Sequence, residues 1–440
     1  MIEPVSQVRQ YEVSLVNLTR QGEAVGQVLA EVGATEEATP GPSDSHQESL
    51  PRTLLVPGGI PGERVIVSVE YPVPRQTRRK KRRRSPPPRI RLVRVLDPSS
   101  WRVEAPCPHF GVCGGCQFQQ IAYERQLEIK REMVTELLRS EGGFAEPPVL
   151  PTLPCAIPWN YRNHMRFSVN REGQVGLTAR GSHRVIPLAE CPIAHPTINR
   201  ALKVLADTPQ PRPQALVRCG ANTGQLLLQP VPASEVRASL EAAGLAVHEE
   251  TFEEELAGKR FLVRPSSFFQ TNTAQAEQMA ALVLRGLQVG PGVTVADAYC
   301  GVGTFALLLA QQAGRVIAIE ESASAVRDAR FNVREAPNVE ILQGKTEEVL
   351  PRLTEQIDGL VLDPPRQGCQ QPVLDALVAR KVPRVVYVSC DPTTLARDLK
   401  YLCQARTAYQ LLEVQPLDMF PQTAHIECVA VLRLAGSVDE

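Results

Sequence analysis

No apolar run in this 440-residue sequence has the length and clean ends of a membrane span. The nearest approach, Ala298 to Gly314, is uncharged, but two glycines precede its helical part and two glutamines follow it, so no transmembrane segment is expected. The first thirty residues carry Glu3, Arg9, Glu12, Arg20 and Glu23 without an apolar stretch between them, so no secretory signal is expected either. No internal repeat is apparent. A composition of 43% apolar and 22% charged residues excludes a disordered or collagenous chain. Eleven cysteines without an export signal argue against a disulfide scaffold, because the cytosol keeps thiols reduced. The expectation is a cytoplasmic monomer with no membrane partner, whose cysteines serve metal binding, chemistry or packing.

What is present is unevenly placed. Formal net charge is zero, yet Arg78 to Arg84 reads RRKKRRR and is followed by Ser85 and three prolines. Seven adjacent cations repel one another and cannot all be paired locally, so the run is expected to be a solvated loop able to sit on phosphates. Ala34 to Leu50 is acidic, rich in Pro and Ser, and lacks apolar periodicity, as a mobile insertion does. Around these stretches, Tyr11 to Val16 and Leu54 to Val69 alternate apolar with polar residues and are punctuated by Gly and Pro, which predicts a small β-barrel over residues 1–100 with disordered insertions at 34–50 and 76–89. Residues 101–266 form a second predicted unit. It opens on CPHFGVCGGC, continues with a helix over Tyr123 to Ser140, and then alternates from Tyr161 to Phe261 as a mostly antiparallel sheet. From 267 to 440 helix and strand alternate: helix from Ala274 to Leu287, strand from Thr294 to Ala298, helix from Phe305 to Gln312, strand from Val316 to Ile319. Further buried strands are expected at Val339 to Leu342, Gly359 to Leu362 and Val385 to Ser389, with a closing pair at Leu411 to Gln415 and Cys428 to Leu432. That order predicts a multidomain α/β protein with a parallel sheet and crossover helices at its C-terminal end.

Ligands of open α/β sheets bind at the carboxyl ends of the strands. In VADAYCGVGTFALLLA a strand ends near Asp297 and runs through Gly301 and Gly303 into a helix, and glycine lets backbone approach a ligand closely. The absence of a third glycine argues against a dinucleotide fingerprint. VIAIE then ends at Glu320, placed to accept hydrogen bonds from a ribose diol, so Asp297 and Glu320 frame an adenosine-like ligand. GLVLDPPRQG brings Asp363 and a rigid two-proline turn to the same crevice.

VVYVSCDP sets Cys390 just after a buried strand at that edge, where its thiol can face the crevice. A thiol answers a specific chemical need. C5 of uracil is too weak a carbon nucleophile to take a methyl group unaided, whereas thiolate addition at C6 makes C5 enolate-like. A base must afterwards remove the C5 proton. Glu427 in AHIECVAV is the best candidate, because a carboxylate opening an apolar strand needs a reason to be there; His425 competes with it.

Taken together, DAYCGVGTF, LDPPRQG, SCDPTTLARDL and HIECV resemble the RNA uracil-C5 methyltransferases, particularly those that make 5-methyluridine in 23S ribosomal RNA. The resemblance covers nearly the whole chain. VPGGIPGE and its surroundings look like a TRAM domain, CPHFGVCGGCQFQ looks like the family's iron–sulfur segment, and the C-terminal domain is implied to be a Rossmann-like class I S-adenosylmethionine-dependent methyltransferase. The resemblance implies Cys390 as nucleophile and Glu427 as proton acceptor. It further implies Gln270, Tyr299, Glu320 and Asp363 as contacts of S-adenosylmethionine; Gln270 and Tyr299 do not follow from spacing. Thr304 stands where some relatives have asparagine and is not assigned a contact.

Cys107, Cys113 and Cys116 follow C-x5-C-x2-C, and four thiolates suit zinc or a 4Fe-4S cluster equally by spacing. The triplet lacks the C-x3-C-x2-C pattern of radical enzymes, so no radical chemistry is expected. By resemblance Cys191 is the fourth ligand and the group is 4Fe-4S, with Cys155 the alternative ligand; Cys219, Cys300, Cys369, Cys403 and Cys428 are assigned to packing. RNA, ribosomal most specifically, is the expected partner. The small barrel binds it, YRNHMRF (Arg162, Asn163, His164, Arg166) offers further contacts to RNA or to the catalytic pocket, and the target base is turned out of its stack to reach Cys390. Transfer RNA is the alternative substrate. The other readings are amino-group methylation, which needs no thiol, and a non-catalytic RNA-binding factor.

Overall fold

The computed structural model describes residues 7–32, 52–71, 88–210, 213–404 and 409–436. The insertion expected at 34–50 and the Arg78 to Arg84 run lie outside the described residues. The chain divides into two compact units, Met1–Arg125 and Gln126–Glu440.

In the first unit, β1 (Gln7–Leu18), β2 (Glu23–Val32), β3 (Thr53–Pro57), β4 (Arg64–Tyr71) and β5 (Arg89–Asp97) form one antiparallel sheet in the order β3-β2-β1-β4-β5. Arg89, expected in a disordered insertion, opens β5 instead. Alternation selects the inner face: Tyr11 and Val13 of β1 pair with Val67 and Val65 of β4, and all four are buried. β3 also lies against β5, which curls the sheet toward a barrel. Glu63, fully buried at the end of the β3–β4 turn, is stabilised by the Ile60 amide at 2.9 Å and the Arg102 guanidinium at 2.5 Å.

Helix α1 (Tyr123–Ser140) leads into the second unit. A six-stranded sheet follows, built from β6 (His164–Val169), β7 (Val175–Thr178), β8 (Val185–Pro187), β9 (Gln214–Cys219), β10 (Gln225–Gln229) and β11 (Ala246–His248), in the order β11-β10-β9-β6-β7-β8. Only the β10–β11 pair is parallel. Two helices that the alternation did not announce lie among these strands, α2 (Pro196–Ala206) and α3 (Ser234–Ala242). In α2 the buried Ile198, Ala201, Leu202 and Leu205 follow helical spacing, and His195 caps its start by accepting from the Thr197 amide at 3.3 Å. A hairpin, β12 (Phe252–Leu256) with β13 (Lys259–Val263), precedes α4 (Thr273–Leu287).

The seven-stranded sheet contains β14 (Thr294–Ala298), β15 (Arg315–Glu320), β16 (Val339–Gln343), β17 (Gly359–Leu362), β18 (Arg384–Ser389), β19 (Tyr409–Leu417) and β20 (Glu427–Leu434), ordered β16-β15-β14-β17-β18-β20-β19. The first five in that order are parallel, and β20 is antiparallel to both neighbours. Helices α5 (Thr304–Leu309), α6 (Ala323–Asn332), α7 (Thr346–Val349), α8 (Gln371–Arg380) and α9 (Pro392–Gln404) complete the unit. Helix α5 stops at Leu309, short of the expected Gln312, because Gln311 and Gln312 are exposed and contribute nothing to its apolar side.

The sheet separates two cores. Val295, Val316, Val361, Val386, Val388, Val429 and Val431 pack with α4 and α5 on one face. Ala296, Leu360, Leu362, Tyr387, Cys428 and Ala430 pack with α8 and α9 on the other. Among the described residues no helix is long and apolar enough to cross a membrane.

Candidate active site

Strand parity and strand direction converge on one place. Asp297 in β14 and Glu320 closing β15 have the parity of Val295 and Val316. Continuing the alternation one residue past β17 and β18 gives Asp363 and Cys390 the parity of Val361 and Val388; Glu427, opening antiparallel β20, shares that of Val429. All five residues therefore meet at one edge and on one face of the sheet. Ser389 pairs with Cys428, so Cys390 and Glu427 stand across from each other one step further along the same ladder.

The charges in this crevice are mutually unfavourable. Asp297 is 0% exposed and neither carboxyl oxygen has a hydrogen bond of ordinary geometry, although the Ala306 backbone faces it. Burial, followed by Asp363, raises its pKa to about 8. Burial likewise raises Asp363 to about 7. Glu320 is fixed at both oxygens, by the Gly301 amide at 2.9 Å and the Ser322 amide at 2.8 Å, leaving lone pairs on each for further donors. The backbone turns sharply here, with φ of +71° at Tyr299, +57° at Gly301 and +83° at Gly303. A Cβ built on half-buried Gly301 meets open space rather than packed protein.

This donor set fits S-adenosylmethionine. A buried carboxylate without partners and its acidic neighbours suit a ligand that carries positive charge, and the half-satisfied Glu320 suits a diol. A cation bound there would bring the raised pKa values of Asp297 and Asp363 back down. Valine at 301 adds a side chain to a positive-φ position at the crevice and is expected to weaken cofactor binding by about 10- to 100-fold. Titration calorimetry checks this, and unchanged affinity contradicts the assignment.

Cys390 is half-buried. Burial, then Glu427 and Asp363, push its thiol up to about 11, while Arg366 pulls it down. Glu427 is only 4% exposed, and burial and Asp363 hold it well above the usual carboxylate range, again opposed by Arg366. A raised pKa makes Glu427 a stronger proton acceptor once ionised. His425 is exposed in front of β20 with its pKa lowered by partial burial and by Arg366, Lys130 and Arg162.

A scan against protein-family models matches residues 243–434 to the tRNA (uracil-5-)-methyltransferase family. An uncharacterized RNA methyltransferase of Gloeobacter violaceus is 36% identical, covering 87% of this chain and 91% of its own length. Another from Nostoc is 34% identical, covering 95% of this chain and 98% of its own. The chain belongs to the S-adenosylmethionine-dependent RNA uracil-C5 methyltransferases. The fold agrees: the Pyrococcus abyssi tRNA (uracil-54, C5)-methyltransferase in complex with S-adenosyl-L-homocysteine superposes with a TM-score of 0.68, at 24% identity, over 96% of this chain and 99% of that one.

The methyltransferase's other expected residues separate into groups. Gln270 is half-buried on the segment before α4; its carbonyl is held by Asn163 Nδ2 at 3.1 Å, and Asn163 also donates to Thr273 Oγ1 at 3.0 Å. Asn163 is thus a buried brace behind Gln270, on the side of the catalytic pocket. His164 is held neutral, lowered to about 3 by burial and by Arg218, Arg162 and Arg166, so it offers phosphates no charge. Arg166 is exposed and Arg162 half-buried. Tyr299 packs against the α8–α9 core with Cys369 beside its hydroxyl. Arg366 was not singled out by sequence reasoning; its position three residues after Asp363 in the same motif was the available signal.

Burial and acidic neighbours push the Cys390 thiol up to about 11 and hold Glu427 well above the usual carboxylate range in the ligand-free protein. For a reaction that uses the Cys390 thiolate, the raised thiol pKa makes single-turnover methyl transfer rise with pH from 7 to 9, approaching about tenfold per unit. Removing Arg366, whose charge lowers both values, should move the profile to higher pH. A flat profile in the parent enzyme, or no movement in Arg366→Ala, contradicts this electrostatic account.

Proposed function

We propose that this chain forms 5-methyluridine in ribosomal RNA, most specifically 23S, through a transient bond between Cys390 Sγ and C6 of the target uridine, with Glu427 accepting the C5 proton. The observation that carries the reading is the placement of Cys390, one residue past β18, and Glu427, at the head of β20, one step beyond the Ser389–Cys428 pair, at the edge that also bears Asp297, Glu320 and Asp363.

S-adenosylmethionine, when bound, supplies the methyl group on a sulfonium. The Cys390 thiolate adds to C6 and drives the C5–C6 electron pair toward O4. C5 then bonds the methyl carbon as the carbon–sulfonium bond breaks toward sulfur. Glu427 takes the C5 proton, the C5–C6 double bond reforms, and the C6–S bond breaks to return the thiolate. Glu320, Asp363, Gln270 and Tyr299 orient the donor; Arg366 stabilises the anionic forms of thiol and carboxylate. Turning the uridine out of the RNA costs a few kcal/mol, least in an unpaired loop.

Cys107, Cys113, Cys116 and Cys191 are proposed to hold a 4Fe-4S cluster that shapes the RNA-facing surface, with zinc the alternative. Among the described residues no group of three or more His, Cys, Asp or Glu side chains is arranged as a metal site. Support comes from the donor chemistry: the three loop cysteines are half-buried, and the Gly115 amide donates to Cys113 Sγ at 3.4 Å. Cys155 is less suited, because its thiol already donates to the Ile157 carbonyl at 3.2 Å.

Transfer RNA is the second reading, favoured by the description of the matching family model. Mapping 5-methyluridine in both RNA classes from cells lacking the protein separates the two. Loss from 23S RNA alone supports the first reading, loss from transfer RNA alone the second, and an unchanged content in both overturns uridine methylation.

A further inference from the structure

Residues 363–370 connect β17 to α8 and carry Asp363 and Arg366 to the crevice, yet the connection belongs to no helix or strand. Its fastening lies on α9, the helix that begins two residues after Cys390. Thr394 Oγ1 donates to the Arg366 carbonyl at 3.2 Å. Arg397 Nη2 donates to the carbonyls of Gln367 at 2.9 Å and Cys369 at 3.3 Å. Asp398 is 0% exposed and closes the clasp. Its Oδ2 accepts from the Cys369 amide at 2.9 Å and from the Tyr387 hydroxyl at 2.6 Å, and its Oδ1 accepts from Arg397 Nε at 2.8 Å. Gly368, at φ +75°, sits directly against it: a Cβ there would lie 2.6 Å from Arg397 Nη2 and 2.7 Å from Asp398 Oδ2.

Tyr387 lies in β18, three residues before Cys390. One carboxylate therefore ties together the strand beneath the thiol, the helix after it and the loop that bears Arg366. Three donated hydrogen bonds, one of them charge-assisted from Arg397 Nε, and an ion-pair contact of Arg397 Nη2 with Oδ1 at 2.7 Å make this a stiff junction. A carboxylate needed only to fill the core would be served by an apolar residue, whereas an aspartate that fixes a loop must keep acceptors on both oxygens.

We propose that Asp398 is a positioning residue for the reaction: by holding the turn at Gln367 to Cys369 it keeps Arg366 facing Cys390 and Glu427. The proposal rests on the reading of Cys390 as nucleophile. The charged and titratable groups facing Cys390 are Glu427 from β20, Asp363 and Arg366 from the loop after β17, and Asp391 from its own turn; His425 shares Arg366 and Asp391 with it and is also within the field of Arg162 and the buried Lys130. Arg366 is the cation in that set that lowers both the thiol and Glu427, so a loosened loop loses what favours their ionised forms.

Asparagine at 398 must turn its NH2 group toward either Arg397 or the Tyr387–Cys369 pair, both donors, and so opens one half of the clasp. The experiment is the pH dependence of Cys390 alkylation by iodoacetamide in the full-length protein, followed on the Cys390 peptide by mass spectrometry. Asp398→Asn should raise the midpoint by about one unit. Arg366→Ala should raise it by a similar amount, and the double variant no further, since one residue acts through the other. An unmoved midpoint in Asp398→Asn overturns the proposal, as does full addition of the two shifts. Should Asp398→Asn not fold, Arg397→Gln at its exposed position opens the same clasp; a raised midpoint supports the proposal and an unmoved one overturns it. Alkylation needs no methyl transfer, so failure here is distinguishable from failure of Cys390 as nucleophile, which Cys390→Ala reads directly.

Discussion

Glu427→Gln is expected to stop the reaction after carbon–carbon bond formation and before release. The amide occupies the volume of the carboxylic acid and removes the buried carboxyl at the start of β20, but it cannot accept the C5 proton. With the proton retained, the C6–S bond has no electron pair to expel it, and protein stays joined to RNA. Turnover should fall by about 10²- to 10⁴-fold, the span typical of a lost general base. A band of protein–RNA adduct on a denaturing gel, absent from the parent enzyme at completion, is the expected signature. If the variant turns over normally, or if the adduct appears instead in His425→Gln, the proton acceptor is His425.

Cys390→Ala should have the larger effect, because it removes the group proposed to make C5 nucleophilic. Methyl transfer is expected to fall by at least about 10⁴-fold, with no covalent species. S-adenosylmethionine binding should persist, since Cys390 is placed by β18 and the donor contacts by β14, β15 and β17. Retained affinity with lost chemistry separates a nucleophile from a structural thiol. Loss of both would mean that the alanine has collapsed the crevice. Full activity would leave the amino-group reading, which uses no thiol, as the surviving chemistry.

The carboxylates and the thiol were legible in the sequence for a physical reason. Strands of a parallel sheet are buried on both faces and read as short apolar runs, so the polar residue that ends each run marks the ligand-binding edge. VIAIE, GLVLD and VVYVSC announce Glu320, Asp363 and Cys390 in this way, and the parallel pairings put them side by side. Glu427 was legible as an anomaly, an acid at the head of an apolar strand; its pairing opposite Cys390 was not, because register in an antiparallel pair depends on a return of nearly forty residues. Arg366 and Asp398 escaped notice since their roles arise from side chains meeting across about thirty positions, which no local pattern encodes. Helix α2 was hidden within text that alternates around it, and only burial of Ile198, Leu202 and Leu205 against the sheet reveals its period. The inward turn of Asn163 toward Gln270 was not legible either, because its burial is set by the elements packed around it and not by YRNHMRF itself.

The sharpest test uses RNA in which the target uridine is replaced by 5-fluorouridine. Fluorine at C5 lets the thiol add and the methyl transfer, but leaves no proton for Glu427 to remove, so the intermediate persists. Mass spectrometry of the digested complex should find the methylated fluoropyrimidine attached to the peptide that contains Cys390. A methylated product with no attachment, or attachment through a different cysteine, contradicts the claim that this sulfur activates the base.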